Sequence, residues 1–487
     1  MGPRACIVSL GCAKNLVDSE SMAALLEGAG FALVTEPGRA DAVVVNTCGF
    51  IAPAREESLS VIRDLCRRVR GVLVAVGCLA QRSPAELLAQ GADAVVGTGE
   101  LERLPQVLRA CLQGSPPGRT AWVGRPEVPL GLPRRLSTGP TAYLKIAEGC
   151  DRRCTFCIIP RLRGRYRSRP VEDLVREARD LVGQGARELV LVAEDTSRYG
   201  LDLYGRPALP RLLEELAGVD GVAWIRVLYA YPSGFPMEAT RLMSPGGRVV
   251  PYLDLPLQHV SDRVLARMGR PYRGTQVRRL LDHLRETVPG MVLRSTFLVG
   301  FPGESEEDFG QLIRFLEEYR LERAGFFPFY PEPEAPAAAF PDQVPEGIKQ
   351  QRLRQAEATQ QAITARANRR LLGEEVRVLV EARSRARRLR GTPGGAVPGG
   401  AAGPAGPAGP EGRGDALPVA AGRWWGQAPE VDGQVHVLGA SEGPGTFIRA
   451  RVFKVRGCDL IAVGSDRGEG AGIAAAGAAA CEGADRD

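Results

Sequence analysis

The chain has 487 residues, too many for one ordinary compact domain, so two or three are expected. Hydrophobic residues at 44% and charged residues at 25% fit a globular chain and exclude a disordered or fibrous one. Sixty-three basic against 57 acidic residues leave a net +6, and only four of the cations are lysines: Lys14, Lys145, Lys349 and Lys454.

In chain order, residues 1–115 alternate short apolar runs, CIVSL (6–10), AVVV (42–45), VLVAV (72–76) and AVV (94–96), with helical patterns at 15–29, 53–70, 83–90 and 100–112. Fully apolar strands alternating with helices predict an open parallel α/β domain covered on both faces. The Pro/Gly-rich SPPGRTAWVGRPEVPLGLP then reads as a linker, placed at 116–135. Over 136–368 six strand–helix units follow, with strands at 143–147, 188–193, 224–228, 252–257, 291–300 and 324–330, which suits a partial β/α barrel. A small β-barrel is expected over 369–456, interrupted at about 390–420 by a Gly/Pro-rich insertion, and 457–487 reads as a disordered tail. The expected class is therefore α/β, with a small terminal β-barrel.

No apolar run approaches the roughly 18–20 residues of a membrane helix. The opening MGPRACIVSLG lacks an apolar stretch with a cleavage site, so a cytoplasmic location away from membranes is expected. In a reducing compartment eleven cysteines are better metal-ligand than disulfide candidates.

Cys150, Cys154 and Cys157 lie in the polar loop GCDRRCTFC, just past a barrel strand, where such folds build active sites. Three thiolates around a 4Fe–4S cluster leave one iron open. Zinc is the alternative, although no nearby cysteine or histidine supplies the fourth ligand of a closed site. A second set, Cys12, Cys48 and Cys78, follows the carboxyl ends of three successive strands. In an open parallel sheet those ends line one crevice, so a second cluster is expected there. Helices starting at these points would favour thiolates. The remaining cysteines, Cys6, Cys66, Cys111, Cys458 and Cys481, read as core or incidental.

GCDRRCTFCIIP resembles the signature of the radical S-adenosylmethionine enzymes. The resemblance implies a cofactor chelated by the open iron, reductive cleavage to a 5′-deoxyadenosyl radical, and Phe156 near the adenine. The pairing of an amino-terminal three-cysteine domain with such a domain resembles the methylthiotransferases, and the terminal barrel resembles their TRAM domain. Within that family SLGCAKNLVDSE, NTCGFI, YLDLPLQH, RSTFLVGFPGE and APEVDG look like the branch that modifies an aspartate of small-subunit ribosomal protein S-twelve. The transfer-RNA adenosine branch more typically has serine-glycine where this chain reads Gln258-His259. The resemblance implies two 4Fe–4S clusters and S-adenosyl-L-methionine as cofactors. Its implied partners are the ribosomal protein, free or assembled with its RNA, an electron donor and a sulfur source.

Weaker expectations attach to other residues. Glu194 and Asp195 end a strand and could take the cofactor's ammonium or ribose, or cap a helix. Gly300, opening GFPGE, could present backbone amides to the cofactor. His259 reads as a satisfied turn residue. Residues 151–170 hold seven arginines against Asp151 alone, and Arg163, Arg165 and Arg167 are candidates to hold a substrate carboxylate. Trp424 and Trp425 stand where the family pattern leads one to expect smaller or polar residues. A zinc-stabilised RNA-binding module is the non-enzymatic alternative.

Overall fold

The computed structural model describes residues 2–115, 119–137, 139–385 and 418–465. Strands β1 (Arg4–Ser9), β2 (Ala32–Leu33), β3 (Ala42–Thr47), β4 (Val72–Gly77), β5 (Ala94–Val96) and β6 (Thr120–Trp122) form one parallel sheet in the order β2-β1-β3-β4-β5-β6. The unbroken valine runs exist because both faces are covered. Val44, Val74 and Val76 pack with Met22 and Leu26 of α1 (Ala13–Gly28), while Val43, Val45 and Leu73 pack with Leu59 and Ile62 of α2 (Ala52–Arg68). Strand β6 corrects the linker reading: Thr120–Trp122 pairs in parallel with β5 as the sheet's edge. Three half-exposed residues among prolines and glycines carry too little pattern to register as a strand.

The central domain contains β7 (Thr141–Lys145), β8 (Ala147–Glu148), β9 (Arg167–Ser168), β10 (Glu188–Val192), β11 (Trp224–Val227), β12 (Val249–Asp254), β13 (Val292–Val299) and β14 (Arg323–Pro328). Six of these run parallel in the order β7-β10-β11-β12-β13-β14, with β7 and β14 at opposite edges, an open barrel as expected. The antiparallel pair β8–β9 brackets the cysteine loop. Period-two alternation decides what each face meets. Leu144, Leu189, Leu191, Ile225 and Leu253 turn to the covering helices, whereas Tyr143, Val190, Val192, Trp224 and Tyr252 turn to the terminal barrel.

That barrel is closed by β15 (Glu375–Arg385), β16 (Pro418–Trp424), β17 (Val435–Leu438), β18 (Phe447–Arg456) and β19 (Asp459–Gly464), in the order β15-β16-β17-β19-β18. The last strand lies inside the stretch assigned to the tail. Closure needs it, because β19 bridges β17 and β18. The expected insertion lies outside the described residues except for 418–420, which are already strand, and so does the chain after 465. A buried polar seam fixes the barrel to the central sheet: Arg423 pairs with Glu188 at 2.5 Å and Glu381 at 2.7 Å, and the Tyr252 hydroxyl donates to Asp432 at 2.5 Å. Trp424 stacks edge-on with Trp425, ring centres 4.6 Å apart, in the apolar cluster that also holds Trp224. Large side chains there fill the interface between domains. Among the described residues no helix is long and apolar enough to cross a membrane.

Candidate active site between two cysteine triplets

Cys12, Cys48 and Cys78 stand at the ends of β1, β3 and β4, which are neighbours in the sheet, with Ser9 opposite Asn46 and Asn46 opposite Val76. Cys12 caps α1, and Cys78 opens the short helix α3 (Cys78–Arg82). Gly11, at φ +87°, makes the approach tight: a Cβ there would sit 2.7 Å from the Cys48 Cβ and 3.0 Å from its Sγ. Asn15 braces the group. Its amide nitrogen donates to Leu10 O and Thr47 O, while its oxygen accepts from Cys78 Sγ at 3.6 Å and from Arg163. The helix-terminus argument for thiolates is outweighed by desolvation: burial pushes the Cys78 thiol up to about 12 and raises Cys48. Such thiols give up their protons when a metal centre binds.

The second triplet sits on a stapled loop. Cys150 N donates to Gly164 O, Cys157 N to Cys154 O, and Thr155 binds the Met268 and Arg267 carbonyls. Burial raises Cys150 to about 12 and lifts Cys157 further. Cys78 shares an apolar cluster with Ile158, the residue after Cys157, so the two triplets adjoin. Among the described residues no group of three or more Cys, His, Asp or Glu side chains closes around a single-ion position. Zinc holds its ligands at about 2.0–2.3 Å, hence in mutual contact. A multi-iron cluster spreads its ligands further apart.

Between the triplets lies a charged seam. Lys145 Nζ reaches Asp18 and Glu148, each at 2.5 Å, and Arg163 reaches Asp18 at 2.9 Å and Glu148 at 3.1 Å. Arg163 is therefore not an available substrate anchor: its side chain is 1% exposed and fully partnered. Arg167 donates to Val128 O, and Arg165 is solvent-exposed. Of the paired members of the stretch, Arg163 ties the central domain to Asp18 and Asn15 of the amino-terminal one, whereas Arg152 and Arg169 pair with Asp195 and Glu177 inside the central domain.

Asp195 accepts from Ser197 N at 3.1 Å and Arg152 Nε at 2.9 Å, which realises the capping reading. Glu194 differs, because both its carboxylate oxygens are buried without a hydrogen-bond donor. Its nearest cation is Lys14 Nζ at 3.9 Å, and burial raises its pKa. Phe156 packs edge-on against Phe301 in a small apolar cluster, half-buried. Gly300, at φ +70°, is explained by Lys349, whose Cγ would lie 2.3 Å from an added Cβ. The amides of Phe301, Gly303 and Glu304 are occupied within GFPGE or by Asp342 O, so that loop does not offer the row of free donors expected from its glycines. His259 lies in a turn, where Nδ1 accepts from Ser261 N and burial pushes its pKa down to about 4, but the expected satisfied residue is only half met, because Nε2 is buried without a hydrogen-bond partner.

Sequence reasoning missed Lys14, Asn15, Asp18, Lys145, Glu148 and Tyr229. A usable signal existed. In a chain whose cations are almost all arginine, Lys14, Lys145 and Lys349 are all buried, at 9%, 5% and 6% exposure, where a compact ammonium fits and a guanidinium fork does not.

A family model described as the radical SAM superfamily matches residues 144–316, one described as "Uncharacterized protein family UPF0004" matches 4–97, and a TRAM domain model matches 411–463. The chain is 46% identical over 470 residues to the ribosomal protein uS12 methylthiotransferase RimO of Desulforudis audaxviator, covering 94% of this chain and 96% of that one. It is 43% identical over 463 residues to the protein of the same name from Pelotomaculum thermopropionicum, covering 93% and 97%. Among solved structures, the radical S-adenosylmethionine methyltransferase TsrM from Kitasatospora setae aligns with a TM-score of 0.52 at 19% identity, over 69% of this chain and 77% of that one, a similarity that speaks for the fold alone. Three domains in the expected order and relatives at this identity over nearly the whole length lead to one conclusion: the chain belongs to the RimO branch of the radical SAM methylthiotransferase family.

Proposed function

We propose that this protein is a cytoplasmic transferase that adds a methylthio group to the β-carbon of an aspartate in ribosomal protein uS12. The observation that carries the reading is the junction of two three-cysteine sets across one buried seam, with Glu194 facing it unbonded. An aspartate β-carbon offers no proton useful at neutral pH, so acid–base side chains alone cannot functionalise it. Bound at Cys150, Cys154 and Cys157, a 4Fe–4S cluster with S-adenosylmethionine supplies a carbon radical able to take that hydrogen.

The chain's own residues do the positioning. Glu194 offers a buried carboxylate for the cofactor's ammonium, and a charge-assisted contact there is stronger than one in water. Arg152 and Ser197 fix Asp195 beside it, and Phe156 offers an apolar edge to the adenine. Cys12, Cys48 and Cys78 would hold the second cluster, which would supply the sulfur. Asn15, Asp18, Lys145, Glu148 and Arg163 lock the amino-terminal domain on the central one, so the two triplets keep a fixed separation. An external electron donor and sulfur source complete the reaction, and the terminal barrel grips the ribosomal protein or the RNA beside it.

The test is an anaerobic reaction of the reconstituted protein with uS12 and with transfer RNA side by side. Mass spectrometry should find one methylthio group on one uS12 aspartate. Modified transfer-RNA adenosine with the protein untouched would move the chain to the sister branch.

A further inference from the structure

The seam contains one cation that is not paid off. Lys145 and Arg163 share Asp18 and Glu148 at hydrogen-bonding distance, two positive charges on two negative. Lys14 is different. Its side chain is 11% exposed, yet its ammonium makes no hydrogen bond to any described residue, and its ion pair with Glu194 is 3.9 Å long. An ammonium carries three donors, and those of Lys14 keep a little open surface while the Glu194 oxygens facing them are buried without a donor, so there is room for an acceptor to reach the ammonium.

Its placement is equally specific. Lys14 is two residues past Cys12 and close enough to interact with that cysteine, while Glu194 interacts with Cys150 and Cys157. The pair therefore spans the gap between the two cysteine sets. Beneath the ammonium, 3.9 Å from the ring centre, lies Tyr229. Tyr229 follows β11 at φ +56°, a left-handed conformation unfavourable for a tyrosine, and is pinned there by its N–H to Asp254 and its carbonyl to Thr196. Strain held by surrounding bonds at a cleft points to a function for the ring it places. Tyr229 supports the ammonium from one side and leaves its other donors unfilled.

We propose that Lys14 is the specificity-determining residue that receives the carboxylate of the target aspartate. The inference rests on the methylthiotransferase reading and deepens it. When Glu194 turns to the cofactor's ammonium, Lys14 loses its one ion-pair partner among the described residues, and an incoming carboxylate restores the balance. Cofactor and aspartyl substrate then favour each other's binding, and the preference for aspartate over its neutral amide comes from this lysine rather than from the arginine stretch.

The experiment compares the wild type, Lys14→Met and Lys14→Arg, each reconstituted and normalised to iron. Equilibrium binding and kcat/KM are measured with uS12 and with uS12 carrying asparagine at the target position, and binding is repeated with and without S-adenosylmethionine. The wild type should favour the aspartyl form by about 10- to 100-fold, as expected of a charge-assisted contact. In Lys14→Met the ratio should fall to within about threefold, with loss of the cofactor's effect on binding, and Lys14→Arg should recover part of it. Lys14→Gln, which keeps length and polarity, replaces the Met variant if that one does not fold. A Met or Gln variant that retains the wild-type aspartate-to-asparagine ratio would overturn the inference, leaving Lys14 as a counter-charge for the amino-terminal cysteines. Wild-type protein that modifies no uS12 aspartate would instead defeat the underlying reading, and this inference with it.

Discussion

Arg163→Met removes one of two cations from a seam that also holds two carboxylates. In the intact protein Arg163 and Lys145 meet Asp18 and Glu148 at 2.5–3.1 Å, and none of the four side chains is more than 7% exposed. The variant leaves Lys145 alone between Asp18 and Glu148, a net negative charge with no access to water. Breaking a buried pair this way costs about 3–5 kcal/mol. The loss falls on docking, because Asp18 lies on α1 and its partners lie in the central domain. At about 2–4 °C per kcal/mol for domains of this size, the apparent Tm should drop by about 6–20 °C. Cleavage by a dilute protease should appear between the first two domains. The pH dependence has a defined sign. Burial alone would raise the Glu148 carboxyl, but Lys145 and Arg163 outweigh it and hold it at about 2. A depressed carboxylate contributes fully above the ordinary carboxylate range and loses its contribution as pH falls through about 2. The gap between wild type and variant should therefore be widest above about pH 5 and narrow as acid is added. Adding Asp18→Asn to Arg163→Met restores one cation to one anion and should recover at least half of the loss. A single variant within about 1 kcal/mol of wild type would refute the view that this seam holds the domains together.

Replacing Cys150, Cys154 and Cys157 together by alanine should leave about half the iron and no 5′-deoxyadenosine; iron near zero, or undiminished, would contradict two independent clusters. Cys48→Ala should still form 5′-deoxyadenosine while methylthio transfer to uS12 is lost, and disappearance of both from a folded protein would argue against this division of labour. Arg423→Met strips Glu188 and Glu381 of a shared partner and should loosen the terminal barrel by about 3 kcal/mol or more, read as faster hydrogen exchange in Pro418–Trp424. Unchanged exchange there would show that the apolar contacts suffice.

The strands of the first two domains were legible because their cores leave no alternative: runs such as Val43–Val44–Val45 are buried on both faces, and a continuous apolar pentapeptide can do little else. The convergence of Cys12, Cys48 and Cys78 was legible for a related reason. Strand ends converge by topology, so residues far apart in sequence can be placed together once the sheet order is right. Strands β6 and β19 were not, since one has three residues and the other is recognised only by the two strands it joins. The seam failed for a deeper reason. Its groups carry no periodicity, and a buried arginine looks the same in sequence as a solvated one until its partners are known. The sequence makes Arg163 a candidate for a substrate carboxylate because it stands in a run of arginines, but its buried position is held by carboxylates of the chain itself. Those carboxylates, Asp18 and Glu148, lie more than a hundred residues apart. Lys14 went unread because its surroundings are assembled from three elements: the cap of α1, the end of β10 and the strained turn after β11. Sequence patterns report what a residue packs against within its own element. The charge left uncompensated when elements meet is a property of the assembled seam, and in this protein it rests on Lys14 and Glu194, which face each other across the first turn of α1 and the end of β10.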